Sequence, residues 1–183
     1  MIRKLSSFLL KLFGWKTLEN IPGEKKYVVV VAPHTSNWDF VWGQLFYFSL
    51  GIRARIMIKK ELFYFPLGNM LRALGGVPVD RSGDTDIVDQ MIRELSINDS
   101  FILVLTPEGT RSRAAVWKTG FHRIARGADV PVVLGFIDYK RKELGTAGFF
   151  YPSGDVEADM NRIKKFYENI TPRYPEKFTT GIE

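Results

Sequence analysis

Short apolar runs alternate along the chain with segments whose apolar residues recur at helical spacing. The runs at 26–32 (KYVVVVA) and 101–105 (FILVL) are short and apolar throughout, which is typical of buried strands. Further strands are predicted over 53–58, 130–139 and 148–151, and helices over 40–50, 67–74, 84–96, 120–126 and 155–170. Because strands and helices alternate and most strands are apolar throughout, the pattern predicts one α/β domain. Its sheet is expected to be mainly parallel, with helices on both faces.

The first sixteen residues form a separate amphipathic segment with four basic residues and no acid. Its apolar residues fall at helical spacing: Ile2, Leu5, Leu9, Leu12 and Phe13. Lys11 interrupts the apolar run, whereas a signal peptide has an uninterrupted apolar region. Two interpretations remain, a docking helix or a helix lying on an anionic membrane, and Trp15 with the positive charge favours the second. We therefore predict an amphipathic interfacial helix at 1–16 and a catalytic domain at 17–183, with no stretch long enough to span a bilayer.

The amino-acid composition limits the kinds of partner, nucleophile and metal site that the chain can have. Lys and Arg number 26 against 20 Asp and Glu, so the formal net charge is +6, which suits an acidic partner. The absence of cysteine excludes a disulfide scaffold, a thiol nucleophile and a thiolate metal site. With only two histidines, a His-rich metal site is not expected either.

The loop after the first predicted buried strand carries His34 and, five residues on, Asp39. This spacing does not place the two side chains on one face of a regular helix. They can meet if Ser36 or Asn37 caps the next helix and the chain turns between them. An Asp bonded to one imidazole nitrogen leaves the other nitrogen free to accept a proton from a hydroxyl group. The alternative is that both residues merely cap a helix.

A second loop, at 75–81, begins with two glycines and ends at Arg81. The glycines allow close approach of the backbone, and the planar guanidinium of Arg81 can hold a phosphate. A surface salt bridge is the alternative for Arg81.

The third loop, at 106–112 (TPEGTRS), directly follows the FILVL strand. Here Glu108 can bind a substrate hydroxyl, and Arg111 can add a charge-assisted hydrogen bond. Gly109 and Thr110 can offer backbone or hydroxyl donors to a phosphate. A tight turn is the alternative, since Pro-Glu-Gly is ordinary turn chemistry.

These segments occur in the order of the four motif blocks of the glycerolipid acyltransferases: His34 with Asp39, 76–81, 107–112 and 130–133. Over about 28–135 the sequence resembles the lysophosphatidic acid acyltransferase (1-acylglycerol-3-phosphate O-acyltransferase) family. The segment 118–120 also resembles the Lys-x-Gly of that family. Thr106 and Leu134 depart from residues frequent in it.

The resemblance implies transfer of a fatty acyl group from acyl-CoA or acyl-acyl carrier protein to the free hydroxyl of a lysophospholipid. The expected acceptor is 1-acylglycerol-3-phosphate, giving phosphatidic acid, and a different lyso-lipid is the alternative. His34 would be the general base and Asp39 its support, while the substrate-binding residues would be Arg81, Glu108, Gly109, Thr110 and Arg111. No bound cofactor, metal or nucleic acid is expected. The partner would be an anionic membrane surface, with the protein peripheral or monotopic on the cytoplasmic side of the cell membrane.

Two rival classes explain less of the sequence. A non-catalytic module that binds nucleic acid, phosphate or lipid accounts for the charge but not for His34 with Asp39. For a phosphatase or esterase, the sequence lacks a suitable nucleophile or metal set. Asp84, Asp86 and Asp89 resemble a metal or D-x-D motif, but capping of a helix explains them more simply. His122, in a short basic helix, is expected to be a surface or partly buried histidine rather than a catalytic residue.

Overall fold

The computed structural model describes residues 1–79 and 86–181. The helices in these ranges are α1 (Ile2–Leu12), α2 (Asn37–Leu50), α3 (Leu67–Ala73), α4 (Ile87–Ile97), α5 (Gly120–Gly127) and α6 (Val156–Tyr167). The strands are β1 (Lys16–Leu18), β2 (Lys26–Val31), β3 (Ala54–Lys59), β4 (Gly76–Val79), β5 (Phe101–Leu105), β6 (Val132–Asp138) and β7 (Glu143–Phe150). Single 3-10 turns lie at Lys60–Leu62 and Pro175–Lys177.

The strands described form one sheet in the order β1-β7-β6-β2-β5-β3-β4. Neighbours are parallel except β6 and β7, which form an antiparallel hairpin. The chain places β3 and β4 on one side of β2, and β6 and β7 on the other. Its connections therefore diverge at the centre of the sheet, the usual position of a ligand site in open α/β folds.

Helices cover both faces, as the sequence predicts. Side chains of α1 and α2 pack on one face, including Leu10, Trp42 and Phe46. Side chains of α4, α5 and α6 pack on the other, including Met91 and Ile163. The two layers bury the central strands on both faces, which explains why β2 is apolar without alternation.

The sheet differs from the prediction mainly at its edges. The three-residue strand β1 was not predicted, because its KTL sequence has no apolar run. The loop predicted at 75–81 contains β4, and the strand predicted at 148–151 extends over Glu143–Phe150. These strands gain their regular structure from pairing with neighbours, which a local pattern does not reveal.

The N-terminal helix packs on the protein through a side other than its apolar stripe. Ser6 and Leu10 are buried, whereas Ile2, Leu5 and Phe8 are each more than half exposed. Trp15, predicted to favour a membrane, is instead 3% exposed and packs on Trp42. No helix within 1–79 or 86–181 has the length and apolar character needed to cross a membrane.

Candidate active site

Polar side chains follow the carboxyl ends of the three central strands of the sheet. The loop after β2 carries His34 and Asp39, the loop after β5 carries Glu108, and Tyr139 directly follows β6. Because β2 lies between β5 and β6 and is parallel to both, these three chain segments leave the sheet side by side. The site therefore lies at the carboxyl ends of the strands, where α/β folds bind ligands.

The start of α2 brings Asp39 back toward the end of β2. Ser36 is the N-cap residue, with extended backbone, and its Oγ accepts a hydrogen bond from Trp38 N at 3.2 Å. Asp39 completes a capping box, since its Oδ2 accepts from the amides of Thr35 and Ser36 at 2.8 Å each. The chain turn considered from the sequence therefore exists, with Ser36 rather than Asn37 as the cap.

His34 and Asp39 face each other across this turn. His34 Nδ1 lies 3.4 Å from Asp39 Oδ2, somewhat longer than a good hydrogen bond. The Asp39 side chain is 2% exposed and that of His34 is 16% exposed, so the carboxylate lies behind the ring. In this orientation a proton on Nδ1 faces Asp39, and Nε2 is the nitrogen available to an external hydroxyl group.

Glu108 forms a hydrogen bond with the backbone of the same loop. Only 4% of Glu108 is exposed, and its Oε2 accepts a hydrogen bond from His34 N at 2.8 Å. Burial raises the pKa of the Glu108 carboxyl to about 8; the His34 amide opposes this rise, and the negative charge of Asp39 adds to it. The structure thus places Glu108 against the backbone of His34, whereas the sequence predicts a substrate contact.

Tyr139 joins this group although the sequence did not indicate it. Its hydroxyl donates to Asp39 Oδ1 at 2.6 Å. Burial and this hydrogen bond raise the pKa of Tyr139 well above its usual range, and the nearby Arg173 guanidinium opposes the rise. Arg173 also lies over the ring of Trp38, with 5.7 Å between Cζ and the ring centroid. Tyr139 had one available signal, its position at the end of a predicted central strand, while Arg173 had none.

The remaining predicted residues are exposed or fall outside the described ranges. Gly109, Thr110 and Arg111 are exposed on the loop after β5. Gly109 has a φ of +65°, and a Cβ there would lie 2.9 Å from Lys118 Nζ, so Lys118 covers this glycine. Arg81 falls in 80–85, outside the residues that the structure describes.

The residues set aside as decoys have structural contacts. Asp86 caps α4 by accepting from Val88 N at 2.9 Å and pairs with Arg123, while Asp84 lies outside the described residues. His122 is 1% exposed, more deeply buried than the expected surface or partly buried position, and its Nε2 lies 2.8 Å from Asp159 Oδ2. Burial raises the pKa of the Asp159 carboxyl, but the hydrogen bonds with His122 and Ser153 outweigh burial and hold this pKa below its usual value.

A family model described as Acyltransferase matches residues 14–134. This stretch exceeds half of the chain and includes the loops after β2 and β5. The chain therefore belongs to the Acyltransferase family. Tyr139 and Arg173 lie beyond the matched residues.

Comparison with solved structures shows the same fold. The chain is similar to the 1-acyl-sn-glycerophosphate (LPA) acyltransferase PlsC from Thermotoga maritima, with a TM-score of 0.63 and 22% sequence identity. The match covers 94% of this chain and 79% of the other. Comparison with curated proteins gives no match.

Proposed function

We propose that the protein moves a fatty acyl group from acyl-CoA or acyl-acyl carrier protein to the free hydroxyl of a lysophospholipid. The proposed acceptor is 1-acylglycerol-3-phosphate, and the product is phosphatidic acid. The observation that carries this proposal is the pairing of His34 with Asp39 at 3.4 Å, at the carboxyl end of β2, in a chain of the Acyltransferase family.

The first step is removal of a proton from the acceptor. His34 Nε2 accepts the hydroxyl proton, and Asp39 stabilises the positive charge that the ring acquires. Asp39 suits this role because its Oδ2 is fixed by the amides of Thr35 and Ser36. Glu108 holds the His34 backbone at 2.8 Å and so limits movement of the ring.

The second step is acyl transfer itself. The acceptor oxygen attacks the thioester carbonyl, the new C–O bond forms and the C–S bond breaks. The departing thiolate takes the proton that His34 holds, which restores the neutral ring. Donors to the tetrahedral oxyanion would come from the motif loops. No covalent acyl-enzyme is needed, in agreement with the absence of cysteine.

Binding of the acceptor phosphate is assigned to the basic residues of the motif loops. Arg111 is exposed on the loop after β5, next to Thr110 in the chain. Arg81 is retained from the sequence pattern as the second phosphate ligand. Lys118 lies over Gly109 and adds a third cation, beside the loop that carries Arg111. Guanidinium groups suit this task because they bind phosphate with two parallel hydrogen bonds.

The exposed side of α1 supports contact with an anionic membrane surface. Its small, partly polar face packs on α2 through Ser6 and Leu10, and this leaves Leu5 and Phe8 55% and 60% exposed. An ordinary docking helix would bury these apolar side chains. Four basic and no acidic residues in 1–16 add attraction to anionic lipid.

Acyl transfer is tested by incubating the full chain with a panel of lyso-lipids and measuring products by lipid mass spectrometry. Both acyl-CoA and acyl-acyl carrier protein are offered as donors. We expect diacyl product from 1-acylglycerol-3-phosphate, and a loss of at least about a hundredfold in His34→Ala, as general bases contribute roughly 10²–10⁴-fold.

His122→Gln is the matched control, because His122 is the second histidine and also faces an Asp. It should leave the rate within about twofold after correction for folded protein. Product from another lyso-lipid alone would correct the acceptor and keep the reaction. Lipid binding without turnover, unchanged in His34→Ala, would overturn the enzyme and favour a binding module.

A further inference from the structure

A tyrosine lies behind the carboxylate of the His34–Asp39 pair. Tyr139 comes from the end of β6, five residues beyond the stretch that the family model matches. Its hydroxyl donates to Asp39 Oδ1 at 2.6 Å, and this contact joins residues separated by 100 positions. The bond therefore exists only because β6 lies next to β2 in the sheet.

The two carboxylate oxygens of Asp39 have different partners. Oδ2 accepts from the amides of Thr35 and Ser36 and faces His34. Oδ1 accepts from Tyr139. With Oδ2 held by the cap of α2, the phenol sets the rotation of the carboxylate and so the direction in which it meets the imidazole ring.

The environment favours this bond. The Tyr139 hydroxyl stays protonated because burial and Asp39 raise its pKa well above its usual range. Among the residues that the structure describes, the charged or titratable groups facing Asp39 are His34 from its own loop, Glu108 after β5 and Tyr139 after β6. Arg173 acts through Tyr139 and belongs to the C-terminal segment that follows α6, residues 168–181.

The C-terminal segment contacts Tyr139 at its backbone and at its hydroxyl. Tyr139 N donates to Thr171 O at 2.9 Å, so the segment is bonded to the backbone of Tyr139 itself. Two residues later, the Arg173 guanidinium lies near the hydroxyl. Tyr174 N donates to Thr35 Oγ1 at 3.3 Å and connects the same segment to the histidine loop.

We propose that Tyr139 is a positioning residue, which orients Asp39 and shares its negative charge, and that Arg173 holds the Tyr139 hydroxyl in place. This inference rests on the proposed function for His34. Without the phenol, Asp39 keeps its place through the cap but concentrates its charge, and it then holds the protonated ring of His34 more strongly.

The decisive variant is Tyr139→Phe, which removes one oxygen and keeps the ring. We expect kcat for acyl transfer to fall about tenfold or more while KM changes less than about twofold, since the phenol touches no substrate. The acid limb of the kcat profile should move to higher pH. Arg173→Met should show a smaller change in the same direction, and Arg173→Lys should recover part of it.

Tyr151→Phe is the matched control. Tyr151 also donates its hydroxyl to a carboxylate, that of Glu24, but on the surface away from His34. It should leave kcat, KM and the pH profile unchanged. Thermal unfolding of each variant separates loss of rate from loss of folded protein.

A second measurement does not depend on turnover. The chain has only two histidines, so the ring signals of His34 are resolved by NMR and assigned with His122→Gln. The midpoint of the His34 chemical-shift titration should move to higher pH in Tyr139→Phe and stay in place in Tyr151→Phe.

An unmoved midpoint together with wild-type kcat would overturn the role of Tyr139, even if acyl transfer occurs. If the wild-type chain transfers no acyl group but the midpoint moves in Tyr139→Phe, the proposed function is overturned and the link from Tyr139 to His34 is kept.

Discussion

Asp39 performs two tasks with one carboxylate. It completes the capping box of α2, and it faces the ring of His34. Because the cap is made with backbone amides four and three residues before it, the loop 34–39 has little freedom to turn the carboxylate away. The helix start and the candidate catalytic pair thus depend on the same side chain, and the sequence alternatives of capping and catalysis are compatible.

Glu108 leads to a prediction about pH and stability. Its pKa of about 8 in the folded protein exceeds the ordinary value of 4.5, so the folded state binds a proton that the unfolded state has lost between these limits. This contribution is complete below about pH 4.5 and is lost as pH rises through 8. Glu108→Gln keeps an acceptor for His34 N and removes the titration.

Urea unfolding of wild type and Glu108→Gln from pH 5 to 8 measures this effect. We expect the variant to gain on the wild type by up to about 1.4 kcal/mol per pH unit in the free energy of unfolding. Glu176→Gln, in the exposed C-terminal segment, serves as the control. Parallel curves for wild type and Glu108→Gln would contradict the raised pKa.

At the scale of elements, the turn between β2 and α2 fixes the geometry of the site. Ser36 has extended backbone, as an N-cap requires, and its Oγ accepts from Trp38 N. At its other end α2 stops at Gly51, whose φ of +74° is the left-handed conformation that glycine adopts without strain. The C-terminal end agrees with the predicted range 40–50, whereas the helix begins at Asn37, earlier than its apolar pattern predicts.

Replacing Ser36 tests what the cap contributes to the stability of the helix start. Ser36→Ala should lower the free energy of unfolding by about 1 kcal/mol, and Ser36→Gly by a few tenths, because glycine tolerates the N-cap backbone. Both are measured by urea denaturation. Unchanged stability in both variants would show that the Oγ bond does not stabilise the helix start.

At the scale of the whole molecule, α1 is attached by one face and presents another. Leu10 is 1% exposed and belongs to the core beneath α2. Removing residues 1–16 would therefore damage the fold as well as any membrane contact, since Trp15 is also buried. Point substitutions on the exposed face separate the two effects.

The variant Leu5→Gln with Phe8→Gln should weaken binding to vesicles containing anionic lipid by about tenfold or more, because each apolar side chain buried in lipid contributes on the order of 1 kcal/mol. Vesicle sedimentation measures it. Ile97→Gln is the control, being 76% exposed at the end of α4, and should bind as wild type. Leu10→Ala should instead cost about 2–5 kcal/mol of stability. Unchanged binding of the double variant would contradict the membrane contact of α1.

Local patterns determined the α/β class, the central strands and the loops that carry His34 and Glu108. They do so because β2 and β5 are buried on both faces and are therefore apolar throughout. Strand ends in such sheets are also the expected positions of chemistry. The family could be recognised because its motif residues are local and occur in a fixed order.

Only the tertiary structure decided which groups meet. The edge strands β1 and β4 depend on pairing with neighbours, and the inward side of α1 depends on what α2 offers it. Tyr139 reaches Asp39 across 100 residues, and Arg173 comes from a segment with no motif. Sequence patterns report periods of two to four residues, whereas these contacts arise from the order of strands in the sheet, which no single segment encodes.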